Sequence, residues 1–125
     1  MRVLVVSENP SERARASSML RARRDVEVVE AASAKEARDA VLAGEPDVLV
    51  VDGDLAPQGG YSFLYELRQA EATAGRPPVP ALLLTDRPQD EWLAGWAAAD
   101  ATLSNPADPF AVARTVADLG SRATA

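Results

Sequence analysis

"VLVVDGDLAPQGG", residues 48–60, is the stretch whose reading decides the fold. The apolar residues Val48, Leu49, Val50 and Val51 run straight into Asp52, Asp54 follows, and the chain then breaks into proline and glycine. A strand covered on both faces reads as a continuous apolar run. Carboxylates at the tip of such a run are either loop and cap residues or a charged site, and the rest of the chain has to decide between them.

Runs of the same kind recur along the chain. "RVLVV" (2–6), "VEVVEA" (26–31), "DVLVV" (47–51), "PALLLT" (80–85) and "ATLS" (101–104) alternate with segments of helical period. Those segments carry helix punctuation. Asn9 suits an N-cap ahead of Pro10 at the first helical position, with Glu12 in the first turn. "SAKE" is a capping box in which Ser33 and Glu36 satisfy each other's backbone donors. Gly60 precedes "YSFLYELRQAEA", where Phe63, Leu64 and Leu67 form an apolar stripe. Val112, Val116 and Leu119 repeat at helical spacing, and Gly120 suits the end of that helix. Strands alternating with helices predict an α/β chain of (βα)5 form, a doubly wound parallel sheet with helices on both faces. In flavodoxin-like strand order, 2-1-3-4-5, sites form at the carboxyl ends of strands 1 and 3, where the order reverses. Ser7, Glu8 and Asn9 end the first of these and Asp52, Gly53 and Asp54 the second. Glu8 and Asp52 are therefore expected to face each other across the crevice. One domain is expected over residues 1–121, with "TAGRPPVP" (73–80) as a loop and residues 122–125 as a frayed tail.

Composition narrows the chemistry. The 125 residues are 47% hydrophobic and 26% charged, and suffice for one buried core. A net charge of -6 argues against direct nucleic-acid binding, which needs a basic face. Arg13, Arg15, Arg21, Arg23 and Arg24 fall within one helical pattern and read as a solvated helix face. No segment approaches the ~20 apolar residues of a membrane span. Met1-Arg2 leads directly into "VLVV" without a signal-peptide layout, so a cytoplasmic location without membrane contact is expected. The chain holds neither cysteine nor histidine. Disulfides, thiol nucleophiles, imidazole bases and histidine or thiolate metal ligands are thereby excluded. What remains is carboxylates, hydroxyls and metal held by oxygen. A nucleotide-binding reading finds neither G-x-G-x-x-G after the first strand nor G-x-x-x-x-G-K-[ST] anywhere. Independent catalysis on a small substrate is not expected, since no base–nucleophile pair other than carboxylates is visible.

Four fragments in register resemble the response-regulator receiver domain. "MRVLVVSENP" is similar to the start of a receiver, with Ser7 and Glu8 where the acidic pair stands. "PDVLVVDGDLAPQGG" is similar to the third strand and its loop, with Asp52 at the phospho-acceptor position and Gly60 at the glycine that follows it. Thr85 ends the fourth strand where receivers keep a Thr or Ser, and Asn105-Pro106 stands where they carry Lys-Pro. The resemblance implies an Mg2+-dependent transfer of a phosphoryl group to Asp52. It implies metal ligation by Glu8, Asp52 and the backbone carbonyl of Asp54, and phosphoryl contacts from Thr85 and position 105. A sensor histidine kinase or another phosphodonor protein is the implied upstream partner. Helix 4, strand 5 and helix 5 are the implied surface for a partner protein or a homodimer, with Trp92, Trp96 and Thr102 on it.

The chain departs from that pattern where charge matters. Ser7 replaces the first acid of the pair, Glu8 lengthens the second by a methylene, and Asn105 replaces the lysine with a neutral amide. Losing one preorganised donor removes roughly 3–4 kcal/mol of transition-state stabilisation. Thr102 stands where many receivers carry the switch Tyr or Phe. Asp86 reads as an acid near the N-cap of helix 4, a helix expected to be short; its other reading leans into the crevice. Trp92 and Trp96 share one helix face and read either as core or as exposed partner surface. Asp54 reads as a turn residue. Two functions follow from these features. One is a receiver that takes phosphate at Asp52 with an incomplete site and a weakened Mg2+ centre. The alternative is a phosphorylation-independent pseudo-receiver acting as an interaction module. No output domain is read in the chain, so its effect is expected to pass through a partner, self-assembly or a longer regulator of which this is a part.

Overall fold

The structure is a computed structural model that describes residues 1–55, 59–85 and 91–124. Five strands and five helices alternate: β1 (Arg2–Val6), α1 (Pro10–Arg21), β2 (Glu27–Ala31), α2 (Ala34–Leu42), β3 (Val48–Asp52), α3 (Gly59–Thr73), β4 (Ala81–Thr85), α4 (Glu91–Trp96), β5 (Ala101–Ser104) and α5 (Pro109–Thr124). All neighbouring strands pair in parallel, in the expected order β2-β1-β3-β4-β5. β1, β3 and β4 are buried almost throughout, and the edge strands β2 and β5 are only partly covered.

Alternation along the central strands divides the core in two. Leu4, Val6, Leu49, Val51 and Leu83 face α2, α3 and α4, where they meet Val41, Phe63, Leu64 and Leu67. Val3, Val5, Val50, Leu82 and Leu84 face α1 and α5, where they meet Leu20, Val112, Val116 and Leu119. Each fully buried side chain of this kind contributes about 1.5–3 kcal/mol relative to an exposed one. The Asn9 cap forms, with Oδ1 accepting from Ser11 N–H at 2.9 Å. The Ser33–Glu36 box forms by half: Ser33 Oγ accepts from Glu36 N–H at 3.2 Å, but Glu36 Oε2 takes Ala32 N–H at 2.9 Å, one residue before the expected donor.

Two boundaries differ from expectation. α3 starts at Gly59 rather than after Gly60, because a Cβ at Gly60 would meet the Asp52 carbonyl and only glycine lets the helix begin that close to β3. α5 does not stop at Gly120 but continues to Thr124. A Cβ at Gly120 would meet the Met1 thioether, the end of a flexible side chain that would have to move aside. α4 is short, as expected, at 6 residues. Asp86 lies outside the described residues.

The sequence reading missed a polar cluster at the opposite end of the sheet from Asp52. Glu71 is 1% exposed, and its partner is Arg68 one turn back on α3, at 2.9 Å. Arg68 also donates to the carbonyls of Val79 (2.8 Å) and Ala98 (3.1 and 3.2 Å) and pairs with Asp100 at 3.3 Å. Glu71 accepts from Val79 N–H and Asp100 from Ala81 N–H, each at 2.8 Å. The cluster ties α3 to the start of β4 and to the turn that ends α4. Its sequence signal is only an i, i+3 Arg–Glu pair on a helix, which is ordinarily a surface pattern.

Candidate functional site

The β1–α1 corner, the end of β3 and the β5–α5 loop meet at the carboxyl edge of the sheet and line one cleft of about 550 Å³. Asp52 closes its floor as the last residue of β3 and is 8% exposed. The backbone around it is pinned on both sides. Gly53 N–H donates to Leu84 O at 2.8 Å, Ser7 N–H to Ala31 O at 3.2 Å, and Asn105 N–H to Thr85 O at 2.7 Å.

Among the described residues, three donors hold the Asp52 carboxylate. Ser7 Oγ–H donates to Oδ2 at 2.8 Å, in a buried bond. Asp54 N–H donates to Oδ1 at 3.1 Å, and the Asn105 amide approaches the same oxygen at 3.5 Å. Burying a carboxylate is tolerated only when such partners replace water. All three are neutral, so the group is oriented without being matched by a fixed positive charge. Ser7 is itself buried, and its Oγ accepts from Asn9 N–H at 3.2 Å. Arg13 reaches back from α1 to the Ser7 carbonyl at 2.6 Å, fixing the β1–α1 corner.

The sequence-predicted residues divide as follows. Glu8, Asp52, Asp54 and Asn105 line the one cleft. Glu8 is an exposed wall residue, and Asp54 lies in the turn after β3, as expected of it. Thr85 is fully buried at the end of β4, and its hydroxyl donates to Leu103 O at 3.4 Å. That bond aims its proton at β5; a phosphoryl contact would require the hydroxyl to redirect it. Trp92 and Trp96 are 70% and 52% exposed, which decides against a core role for the pair. Trp96 stacks on Tyr65 of α3, with ring centroids 4.3 Å apart and planes 2° from parallel. Thr102 is half-buried on β5. Glu12 and Arg15 also line the cleft, and sequence reasoning did not single them out for it. They lie an i, i+3 step apart on α1, so the helical period could have shown that they share a face.

A divalent cation with oxygen ligands suits this donor set. Glu8 and Asp52 offer carboxylate oxygens to the same cleft, and Mg2+ accepts few protein ligands because it retains several waters. Among the described residues, no three acidic, histidine or cysteine side chains converge as a preformed metal cage. A metal here would rest on two carboxylates and a backbone carbonyl. No helix among the described residues is long and apolar enough to cross a membrane.

Comparison with known proteins agrees with the fold. A family profile described as the response regulator receiver domain matches residues 3–109. A response regulatory protein of Mycobacterium tuberculosis is 35% identical over 124 residues, spanning 95% of this chain and 90% of that protein. A chain in the Saccharomyces cerevisiae co-crystal structure of the histidine phosphotransfer protein Ypd1 with the receiver domain of its downstream response regulator Ssk1 superposes with a TM-score of 0.86. It is 22% identical and covers 97% of this chain and 89% of that one. The Vibrio cholerae chemotaxis protein CheY4 superposes with a TM-score of 0.79 at 24% identity, over 94% of this chain and 97% of its own. The chain belongs to the response-regulator receiver family of two-component signalling. Receiver domains generally bind Mg2+ at this acidic site and interact with phosphotransfer or kinase partners.

Proposed function

We propose that this receiver accepts a phosphoryl group on Asp52 through an incomplete site and signals through its exposed α4 face. The observation that supports it is the state of Asp52: a nearly buried carboxylate at the end of β3, held by Ser7, Asp54 N–H and Asn105, and open to a cleft. Such a carboxylate has lost most of its hydration and is already oriented, two costs of an in-line attack met in advance.

In the transfer, one Asp52 oxygen forms a bond to phosphorus while the bond from phosphorus to the donor atom breaks. The electron pair leaves with the donor, an imidazole nitrogen of a kinase or the carboxylate of an acyl phosphate. Glu8, Asp52 and the Asp54 carbonyl would hold Mg2+, which when bound neutralises charge on the transferring oxygens. Asn105 offers the phosphoryl group a hydrogen bond in place of the lysine's charge. Thr85 would turn from Leu103 O to supply a second. No catalysis of a separate substrate belongs to this reading, and the location that fits it is the cytoplasm, where a kinase would meet it.

A second reading has its own observation. The Thr85 hydroxyl is engaged with β5 and Asp52 is satisfied by neutral donors, so the unphosphorylated state is internally complete. A pseudo-receiver that presents Trp92 and Trp96 to a partner would look the same. Intact-mass measurement after incubation with acetyl phosphate and Mg2+ separates the two. The first reading expects a phosphoryl adduct that disappears in Asp52→Ala. A folded protein with no adduct would leave the second.

A further inference from the structure

We propose that Arg15 neutralises the phosphoryl group in this cleft, supplying from α1 the positive charge that Asn105 does not bring. The inference rests on Asp52 being the phospho-acceptor. Glu8, Glu12, Asp52 and Asp54 all line the cleft, and Arg15 is its one cationic lining residue among those described. A phosphoryl group entering among four carboxylates adds negative charge that Mg2+ alone offsets only in part. The amide of Asn105 contributes a dipole at 3.5 Å from Asp52 and no charge.

The arginines of α1 differ in whether they are free to respond. Arg13 is clamped by Glu30 at 2.8 Å and the Ser7 carbonyl at 2.6 Å, and Arg21 by Glu30 at 2.7 Å. These two are committed to β2 and the β1–α1 corner. Among the described residues, Arg15 is held by Glu12 alone, at 3.3 Å, with side chains 43% and 29% exposed. An exposed pair of this kind is held weakly. The guanidinium presents five donors in a planar fork that matches phosphoryl oxygens, and a single contact to Glu12 engages one edge of it. Arg15 exchanges that contact for two phosphoryl oxygens as the Asp52 oxygen bonds to phosphorus. With acetyl phosphate, the bond from phosphorus to the acetate oxygen breaks, its electron pair leaves with acetate, and no proton moves.

The test is the rate of adduct formation on the intact chain with acetyl phosphate and Mg2+, at low and high ionic strength. Wild type is compared with Arg15→Gln, Arg15→Lys, Asn105→Lys and the double variant Arg15→Gln/Asn105→Lys. Arg15→Gln should slow the reaction roughly tenfold or more and flatten its dependence on salt, because a screened charge has been removed. Arg15→Lys should recover most of the rate. Asn105→Lys should restore it in the Arg15→Gln background, which a merely structural role for Arg15 would not allow. Wild-type rate and salt dependence in Arg15→Gln would overturn the role of Arg15 while leaving Asp52 in place. An adduct that forms only when Asn105→Lys is present would also overturn it, since Arg15 would then not be supplying the charge. No adduct in any variant would remove the Asp52 reading and this inference together.

Discussion

Ser7 contributes an uncharged hydroxyl where receivers carry an acid, and the structure gives that hydroxyl a definite task. Its 2.8 Å bond to Asp52 Oδ2 is buried and is the shortest the carboxylate receives. A hydrogen bond to a charged group is worth about 1.5–3 kcal/mol, so Ser7→Ala should lower unfolding free energy by that amount in urea denaturation. Ser7→Asp should act differently. It would put two carboxylates against each other, lowering the melting temperature without metal and making it rise with millimolar Mg2+. A Ser7→Asp protein indifferent to Mg2+ would argue against metal binding between β1 and β3.

At the scale of elements, the strands and helices were legible because period and punctuation agree. Continuous apolar runs marked the central strands, and Asn9-Pro10 and Ser33–Glu36 marked helix starts that form as read. Gly120 was misread because a glycine late in a helix signals a cap in sequence, whereas here the helix continues through it to Thr124. The Arg68–Glu71–Asp100 cluster was invisible for a related reason: its partners are backbone groups brought in by β4 and the α4 turn. Breaking a buried ion pair from one side is destabilising by ~3–5 kcal/mol. Glu71→Ala should therefore lose about that much stability, far more than an exposed helix pair such as Lys35–Asp39, worth ~0.3–0.5 kcal/mol. Chemical denaturation of the two variants side by side checks the contrast.

Across the whole molecule, the sheet collects its chemistry at one end and its buried ionic tie at the other, and leaves an aromatic face on α4. Trp92 and Trp96 were ambiguous in sequence because an i, i+4 pair shows a shared face but not which way the face points. With the fold formed, Ala94 and Ala97 take the inward positions and the two indoles remain outside, one stacked on Tyr65. Tryptophan emission should accordingly be that of solvent-accessible indole, readily quenched by acrylamide. Trp92→Ala should change stability by less than about 0.5 kcal/mol. Blue-shifted, protected emission would contradict the exposed arrangement and with it the α4 docking face.

The sequence by itself determined the architecture and the address of the site. Apolar period specifies which residues face the sheet, and in the flavodoxin-like order of parallel (βα) units Glu8 and Asp52 share a crevice. These are properties of short segments and of topology, which local pattern encodes. Only the tertiary structure decided what each side chain does there: that Ser7 orients Asp52, that Thr85 turns to Leu103, that Arg15 reaches the cleft wall, and that Glu71 is buried with its counter-ion. Those outcomes depend on distances of a few ångströms between residues far apart in the chain, and hydrogen bonds and charges are selective at that range.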